Sequence, residues 1–181
     1  MKRTTKDTKD TKEEEKEVSL LILGGTGDAS ELAAIAYTIP NLKVKVSLAG
    51  RTSQPGEVPG IVRIGGFGGI DGLINYLRTE QIDLLIDATH PFASQISWNA
   101  AAAVKEVGIP SLMLIRPAWE KNKGDNWIEV ESVETAANIL PSLSKRVFLT
   151  IGRQQLAPFA NLDNIWFLMR AIDPPSPGIP P

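Results

Sequence analysis

Residues 18–36 read VSLLILGGTGDASELAAIA, and this stretch decides the fold. Its first six residues are apolar except for Ser19, which is typical of a central parallel strand covered on both faces. Glycines end the run at Gly24, Gly25 and Gly27, and the pattern of an amphipathic helix follows. The stretch therefore predicts the first half of a βαβ unit, with a helix that buries Leu32, Ile35, Ala36 and Ile39.

The glycine turn is a candidate phosphate site. Glycine tolerates positive φ and lets backbone N–H groups approach a ligand, while the following helix directs the positive end of its dipole at the same point. Gly25-x-Gly27-x-x-Ser30 matches the dinucleotide-binding pattern with serine in the third place. A nucleotide-binding turn is favoured, and a ligand-free strand-to-helix turn is the alternative. Asp28 followed by Glu31 predicts a capping box at the start of the helix.

Length and composition limit the class of protein. With 181 residues, 43% of them apolar, the chain can form one good core, and its length allows one domain or one and a half. No apolar run approaches the roughly 20 residues of a membrane span, and the N-terminus lacks the apolar core of a signal peptide. We therefore expect a cytoplasmic protein with no membrane partner. The absence of cysteine and the single histidine, His90, exclude thiolate and histidine metal clusters, so no metal site is predicted.

Charge is distributed unevenly along the chain. Residues 1–17 carry six basic and six acidic residues and no apolar residue after Met1, which predicts a disordered leader. The remaining chain has 13 basic and 15 acidic residues. This mildly acidic composition argues against a nucleic-acid partner, which would require a clustered basic face.

A second candidate site follows the second predicted strand, residues 43–49, where the chain continues Gly50-Arg51-Thr52. In dinucleotide-binding units an acidic residue near this point binds the ribose 2′-hydroxyl of NAD, whereas an arginine accommodates the 2′-phosphate of NADP. Here an arginine is present and an acid is not. Arg51 therefore favours NADPH, with NADH as the alternative, unless Arg51 is a solvated surface charge.

A glycine-rich loop follows the third predicted strand, residues 61–64. Four of the five residues at 65–69 are glycine, which is costly to order and suits a loop that lies close to a ligand. Gly66 is therefore included among the candidate cofactor-binding residues. The alternative is a plain connection into a helix capped by Asp71.

Polar residues also follow the fourth predicted strand, residues 82–88. Thr89, His90 and Pro91 come directly after it, and ligands of open α/β sheets lie outside the carboxyl ends of the strands. His90 is thus either a site residue or a hydrogen-bonded structural histidine. A small-residue helix near residues 93–107 and a fifth strand at 111–115, ended by Arg116, complete the pattern.

Alternating strands and helices predict an α/β protein with a Rossmann-like, doubly wound parallel sheet and right-handed crossovers at residues 18–118. Residues 126–181 begin a second α/β domain, with a helix near 133–140 and strands at 147–151 and 165–170. This second domain is predicted to be incomplete, because the chain turns proline-dense from residue 173.

Several enzyme classes are excluded by missing motifs. The chain contains no P-loop pattern, no tyrosine followed four residues later by lysine, and no G-x-S-x-G nucleophile elbow. What remains is compatible with hydride transfer, in which a nicotinamide cofactor supplies the chemistry and the protein supplies binding and orientation.

A series of short motifs, in this order and spacing, resembles the precorrin-6A reductase family across residues 18–175. They are GGTGDA at 24–29, SLAGRT at 47–52, GGFGG at 65–69, DGL at 71–73, DATHPFA at 87–93, RPAW at 116–119, TIGRQ at 150–154 and RAIDP at 170–174. The resemblance implies an enzyme of cobalamin biosynthesis. Such an enzyme uses a reduced nicotinamide nucleotide to reduce one double bond of the precorrin-6A macrocycle, or of its cobalt-bearing counterpart. It also implies two α/β domains with the cofactor and the tetrapyrrole between them.

The resemblance assigns roles to individual residues. The pyrophosphate would be held by Gly25, Thr26, Gly27 and Asp28, and the adenosine end by Arg51 and Thr52. The reaction cleft would be lined by Thr89, His90 and Pro91, with His90 as the proton donor. Substrate carboxylates would be met by Arg116 and Arg153, since the guanidinium group suits bidentate recognition of carboxylates.

The chain departs from the family at its C-terminal end, where members continue into the rest of the second domain. The chain is therefore expected to be either a truncated piece or a naturally short product. An incomplete domain would expose sheet edge and apolar surface, which predicts self-association. The alternative to an active reductase is a dinucleotide-binding fragment without catalytic activity.

Overall fold

The computed structural model describes residues 16–50, 56–152 and 155–170. Predictions that concern residues 1–15 of the charged leader, Arg51, Thr52, Arg153 and the proline-dense residues 171–181 lie outside the described residues. The chain divides into two compact units, residues 1–116 and 117–181, and each is described by itself.

The first unit is built on a five-stranded sheet in the order β3-β2-β1-β4-β5, with every neighbouring pair parallel. This confirms the predicted parallel α/β sheet. Its elements are β1 (Val18–Leu23), α1 (Gly27–Tyr37), β2 (Leu42–Leu48), β3 (Ile61–Ile64), α2 (Gly69–Thr79), β4 (Leu84–Asp87), α3 (Ser94–Val107) and β5 (Ser111–Met113).

The sheet of the first unit is covered on both faces, and β1 is its centre. On one face Leu20 and Ile22 pack with helix α1, and on the other Leu21 and Leu23 pack with helices α2 and α3. All four side chains are at most 2% exposed. Each contributes roughly 1.5–3 kcal/mol through burial, which explains why the strand is a nearly continuous apolar run.

Helix α1 packs differently from the sequence prediction. Its buried residues are Ala29, Ala33 and Ala36, whereas Ile35 and Ile39 are exposed. Three alanines spaced along one face let the helix backbone approach the sheet closely, and the larger side chains are left toward solvent. The predicted face of Leu32, Ile35, Ala36 and Ile39 was therefore wrong except at Ala36 and the partly buried Leu32.

Two predicted helix caps also differ from the structure. The N-cap of α1 is Thr26 rather than Asp28, which lies in the first turn. The N-cap of α2 is Gly68, in the left-handed region with φ of 83°, and Asp71 lies in the first turn of that helix. Both acidic residues still interact favourably with the positive ends of the helix dipoles.

The second unit contains α4 (Val133–Leu143), β6 (Arg146–Leu149), a 3₁₀ turn (Ala157–Phe159) and β7 (Trp166–Met169). Strands β6 and β7 pair in parallel. Its small core is formed by Ala137, Leu149, Leu156 and Phe159. Helix α4 covers the helix predicted near residues 133–140, and β6 and β7 are shorter than the predicted strands.

The described helices are short, the longest being α3 with 14 residues. None of them combines the length and the apolar composition needed to span a membrane.

Two ion pairs connect elements of the first unit, one at the amino edge of the sheet and one on a face. Asp83 accepts a hydrogen bond from the Ser19 N–H at 2.9 Å and pairs with Lys16 at 3.2 Å, joining the start of β1 to the segment before β4. The buried Lys45 ammonium on β2 donates to Glu80 Oε2 at 2.6 Å and to the Glu80 carbonyl at 3.1 Å. A buried ammonium without this partner would be destabilising.

These pairs make the stability of the first unit depend on pH. The Ser19 N–H, and then Lys16, lower the pKa of Asp83 below its ordinary 3.8, and the Lys45 hydrogen bond lowers the pKa of Glu80 below 4.5. A lowered folded-state pKa gives stability that is complete above the ordinary pKa and is lost as pH falls through the folded-state value. We expect the urea midpoint to fall on acidification below about pH 4.5, and Asp83→Asn to make that fall shallower. An equal fall in the variant would contradict this assignment.

Candidate dinucleotide-binding site

The candidate site lies at the carboxyl edge of the first unit's sheet, between β1 and β4. The chain leaves β1 for α1 on one face of the sheet and leaves β4 for α3 on the opposite face. The two connections therefore diverge and leave a crevice between the ends of neighbouring strands. In open α/β sheets this topological switch point is where ligands bind.

The turn after β1 has the geometry of an anion site. Gly25 has a φ of 108°, which a residue with a side chain adopts only with strain. Thr26 Oγ1 accepts the Ala29 N–H at 3.1 Å and donates to the Ala88 carbonyl at 2.9 Å, so the turn is tied to the end of β4. A Cβ added at Gly25 or Gly27 would meet no heavy atom within 4 Å. The space beside the glycines is therefore open.

The turn also presents unpaired backbone donors. Within the described residues, no hydrogen bond engages the N–H groups of residues 25–28, whereas those of Ala29 and Ser30 bind Thr26. Unpaired N–H groups at a helix N-terminus attract an anion, and the helix dipole adds to this attraction. Residues 24–30 therefore form what we call the glycine corner, which can hold a phosphate.

An ion pair lies beside the glycine corner. The Arg116 guanidinium, just beyond β5, binds Asp28 Oδ2 in the first turn of α1. Both side chains are partly exposed, so the pair adds little stability. Its electrostatic effect is local: the guanidinium offsets a carboxylate that would otherwise repel a phosphate. The structure thus brings together Asp28 and Arg116, to which the family resemblance assigns different ligands.

The glycine-rich loop after β3 is held by an arginine that sequence reasoning missed. Arg63 donates to Ser47 Oγ at 3.3 Å and to the Gly66 carbonyl at 2.7 Å, and also binds the Gly65 carbonyl. Its guanidinium lies 4.0 Å from the centre of the Phe67 ring. Ser47 and Arg63 are register partners on β2 and β3. The role of Arg63 can therefore be recognised only once the pairing of these strands is known. Gly66 therefore contributes to an ordered loop at the carboxyl ends of β2 and β3.

The end of β4 carries a second residue that the sequence analysis overlooked. Asp87 is 5% exposed, and its Oδ1 accepts the Thr89 N–H at 3.0 Å and the Thr89 hydroxyl at 2.7 Å. Its Oδ2 is buried and has no hydrogen-bond partner in the described part of the chain. In the sequence alone, Asp87 is only a polar residue at the end of an apolar strand.

His90 is exposed and has a defined hydrogen bond. Its Nδ1 accepts the Phe92 N–H at 3.2 Å, and its ring lies 5.1 Å from the Phe92 ring. Because Nδ1 is an acceptor, the neutral imidazole carries its proton on Nε2. His90 can therefore donate a hydrogen bond outward from the end of β4.

The structure groups most of the predicted site residues of the first unit. Thr26 contacts Ala88, Asp28 contacts Arg116, and Thr89 to Pro91 follow β4 at the same edge. Gly66 lies at the carboxyl ends of the neighbouring strands β2 and β3. Arg51, Thr52 and Arg153 lie outside the described residues.

The strand order, the glycine turn and the helix N-terminus at the switch point define the first unit as a Rossmann-like α/β domain. Residues 19–179 match the family model described as precorrin-6x reductase CbiJ/CobK, and the chain belongs to this family.

Individual relatives agree with the family model. The chain is 50% identical over 162 residues to the precorrin-6A reductase of Rhodococcus erythropolis, covering 90% of this chain and 65% of the relative. It is 45% identical over 160 residues to that of Sinorhizobium sp, covering 88% and 61%. A solved structure titled CobK precorrin-6A reductase matches with a TM-score of 0.81 and 41% identity, covering 90% of this chain and 64% of that one. The chain therefore spans just under two thirds of the length of these relatives.

Proposed function

We propose that this protein is an NADPH-dependent reductase that acts on precorrin-6A, or on its cobalt-bearing counterpart, in cobalamin biosynthesis. The proposal rests on the family membership and on the names of the relatives reported above. Its central observation is the row of N–H groups at residues 25–28, which have no acceptor in the described part of the chain and lie at the switch point of the sheet. The cytoplasm, which the sequence suggests, is the proposed place of action.

In this proposal the residues of the first unit bind and orient the cofactor. The backbone of residues 25–28 holds the pyrophosphate, and Arg116 offsets the Asp28 carboxylate beside it. When bound, a reduced nicotinamide supplies a hydride. Thr89 and Pro91, with His90, line the side of the crevice formed by the end of β4.

Reduction of the double bond also requires a proton. His90 is the proposed donor: in its imidazolium form, which requires Nδ1 to release the Phe92 N–H, the exposed ring can give up its Nε2 proton. The Phe92 side chain beside it is 90% exposed and offers an aromatic face to a flat conjugated substrate. Arg116 and Arg153 are the proposed partners of substrate carboxylates.

The expected effect of His90→Ala is a loss of turnover with little change in cofactor affinity. General acid catalysis contributes about 10²–10⁴-fold in rate, so we expect kcat to fall within that range while the Kd for NADPH stays constant. Steady-state kinetics and a cofactor titration measure the two quantities. Unchanged turnover would remove His90 from the mechanism.

A preference for NADPH over NADH is supported by charge at the carboxyl ends of β2 and β3. Arg63 has no carboxylate partner among the described residues, and two of its five N–H groups have no acceptor there. With Arg51, which the sequence puts after β2, it would attract a 2′-phosphate. We expect Arg63→Met to weaken NADPH binding by about tenfold, or 1.4 kcal/mol, and to change NADH binding much less.

The ratio of the two affinities separates charge from structure. Loss of the loop contacts of Arg63 would weaken both nucleotides equally, whereas loss of a 2′-phosphate contact weakens NADPH alone. Arg78→Met is the control, because Arg78 pairs with Glu106 on the helical face of the first unit. If the ratio of the NADPH and NADH affinities were unchanged in Arg63→Met, residues other than Arg63 would determine the nucleotide preference.

The proposed activity is tested by following NADPH oxidation with precorrin-6A and then with cobalt-precorrin-6A. Oxidation that depends on the tetrapyrrole is the expected result, and the faster substrate identifies the cobalt state. NADPH binding without oxidation would instead support a dinucleotide-binding chain without catalytic activity.

Self-association is a further part of the proposal. In the second unit, strands β6 and β7 form a two-stranded sheet and carry the exposed Phe148, Trp166 and Leu168. An exposed apolar edge strand is a site for pairing with another chain. Light scattering that shows a stable monomer would contradict this part.

A further inference from the structure

We propose that Thr89 accepts a hydrogen bond from the carboxamide N–H₂ of the bound nicotinamide, and that Asp87 is the residue that positions Thr89 for this contact. The inference rests on the proposed function and deepens it. It names the group of the cofactor that the end of β4 recognises.

The first step concerns the polarity of the Thr89 hydroxyl. A hydroxyl has one proton and two acceptor lone pairs. Asp87 Oδ1 lies 2.7 Å from Thr89 Oγ1 and also accepts the Thr89 N–H at 3.0 Å, so this oxygen is an acceptor for both groups. The hydroxyl proton is therefore committed to Asp87. Thr89, which is only partly buried, presents acceptor lone pairs and no donor to the crevice.

The second step concerns the other carboxyl oxygen. Asp87 is 5% exposed, and its Oδ2 has no partner within the described chain. A buried polar atom without a partner is costly, and a native protein retains few of them. Because Oδ2 is itself out of reach of a ligand, Thr89 alone presents acceptor lone pairs to the crevice, with the Asp87 carboxyl group behind them. These lone pairs favour a ligand group with N–H donors.

The third step concerns which part of a dinucleotide reaches this point. Thr26 Oγ1 donates to the carbonyl of Ala88 at 2.9 Å, and Ala88 lies between Asp87 and Thr89. A pyrophosphate at the glycine corner is therefore flanked by the end of β4 on one side and the end of β2 on the other. The cationic Arg63 on the β2 side suits the phosphorylated adenosine, which leaves the nicotinamide for the β4 side. Its carboxamide is the group with N–H donors.

The test compares NADPH with its reduced 3-acetylpyridine analogue, in which a methyl group replaces the amide nitrogen. Titration of the full chain should give a Kd about tenfold lower for NADPH than for the analogue. We expect Thr89→Val to bring the ratio of the two Kd values close to one, and Thr89→Ser to keep the wild-type ratio. Asp87→Ala should also lower the ratio of the two Kd values, although Thr89 is retained. Without Asp87 the Thr89 hydroxyl is free to rotate and is no longer held as an acceptor. Thr38→Val, at the far end of α1, is the control for loss of a threonine hydrogen bond.

The ratio distinguishes recognition from structural damage. If Thr89→Val weakened both ligands equally, the role of Thr89 would be structural and the inference would be overturned. If the ratio stayed constant while the KM for the tetrapyrrole rose, the donor would be a substrate N–H and the assignment to the carboxamide would be wrong. Wild-type protein that binds neither ligand would overturn the proposed function as well, whereas binding without discrimination overturns this inference alone.

Discussion

Replacement of Gly72 by alanine is expected to destabilise the first unit by about 3 kcal/mol, the upper end of the usual cost of overpacking. A Cβ at this position would lie 1.7 Å from the carbonyl oxygen of Phe67 and 2.8 Å from its carbonyl carbon. Both are backbone atoms of the glycine-rich loop, which Arg63 holds through two neighbouring carbonyls. The first turn of α2 would have to move away from the loop, and the packing of Leu73 beneath it would be disturbed.

Whether alanine at position 72 stabilises or destabilises the protein decides between the loop contact and ordinary helix propensity. Gly72 lies inside helix α2, where alanine normally stabilises a helix by about 0.5–1 kcal/mol relative to glycine. Urea unfolding of Gly72→Ala, with Gly124→Ala as a control at an open position, measures the difference. A variant as stable as the wild type would show that the loop does not approach the helix in this way.

Gly25→Ala is expected to weaken NADPH binding by at least about thirtyfold, or 2 kcal/mol. Gly25 has a φ of 108°, so alanine would be strained or would shift the turn and misalign the N–H groups of residues 25–28. The new methyl group would also occupy the open space beside those groups. Titration with NADPH, together with urea unfolding, measures both consequences.

A matched control separates strain from ligand contact. Gly108 has a φ of 80° and equally open surroundings, but it ends helix α3 at the amino edge of the sheet. We expect both Gly25→Ala and Gly108→Ala to lose about 1–3 kcal/mol of stability, the cost of a strained backbone. Gly108→Ala should bind NADPH normally. Equal losses of affinity in both variants would mean that the glycine corner does not contact the cofactor.

The fold was predictable from the sequence where the signal is local. The apolar run of β1, the glycines that end it and the alternation of strands and helices each involve neighbouring residues, and they gave the parallel sheet and the glycine corner. The packing face of α1 was not predictable in this way, because alanines carry little hydropathy signal even where they fix how closely a helix packs. The start of α1 was also misjudged, since two acidic residues matched a capping box while Thr26 forms the cap.

The site was predictable only in part. His90 and Thr89 were predicted as site residues because they follow a strand directly, and the predicted position of the ligand relative to the sheet follows from strand direction. Arg63 and Asp87 were missed because their roles depend on partners brought close by the fold: Ser47 and a loop carbonyl for Arg63, and burial beside Thr89 for Asp87. The contact of Arg116 with Asp28 joins residues 88 positions apart, so no local pattern could reveal it.

The most direct test of this account is amide hydrogen exchange of the full chain with and without NADPH. We predict that NADPH slows exchange at the amides of residues 25–28, which have no acceptor among the described residues, and leaves the paired amide of Gly24 nearly unchanged. Binding of NADPH without added protection at residues 25–28 would contradict the claim that the glycine corner holds the pyrophosphate.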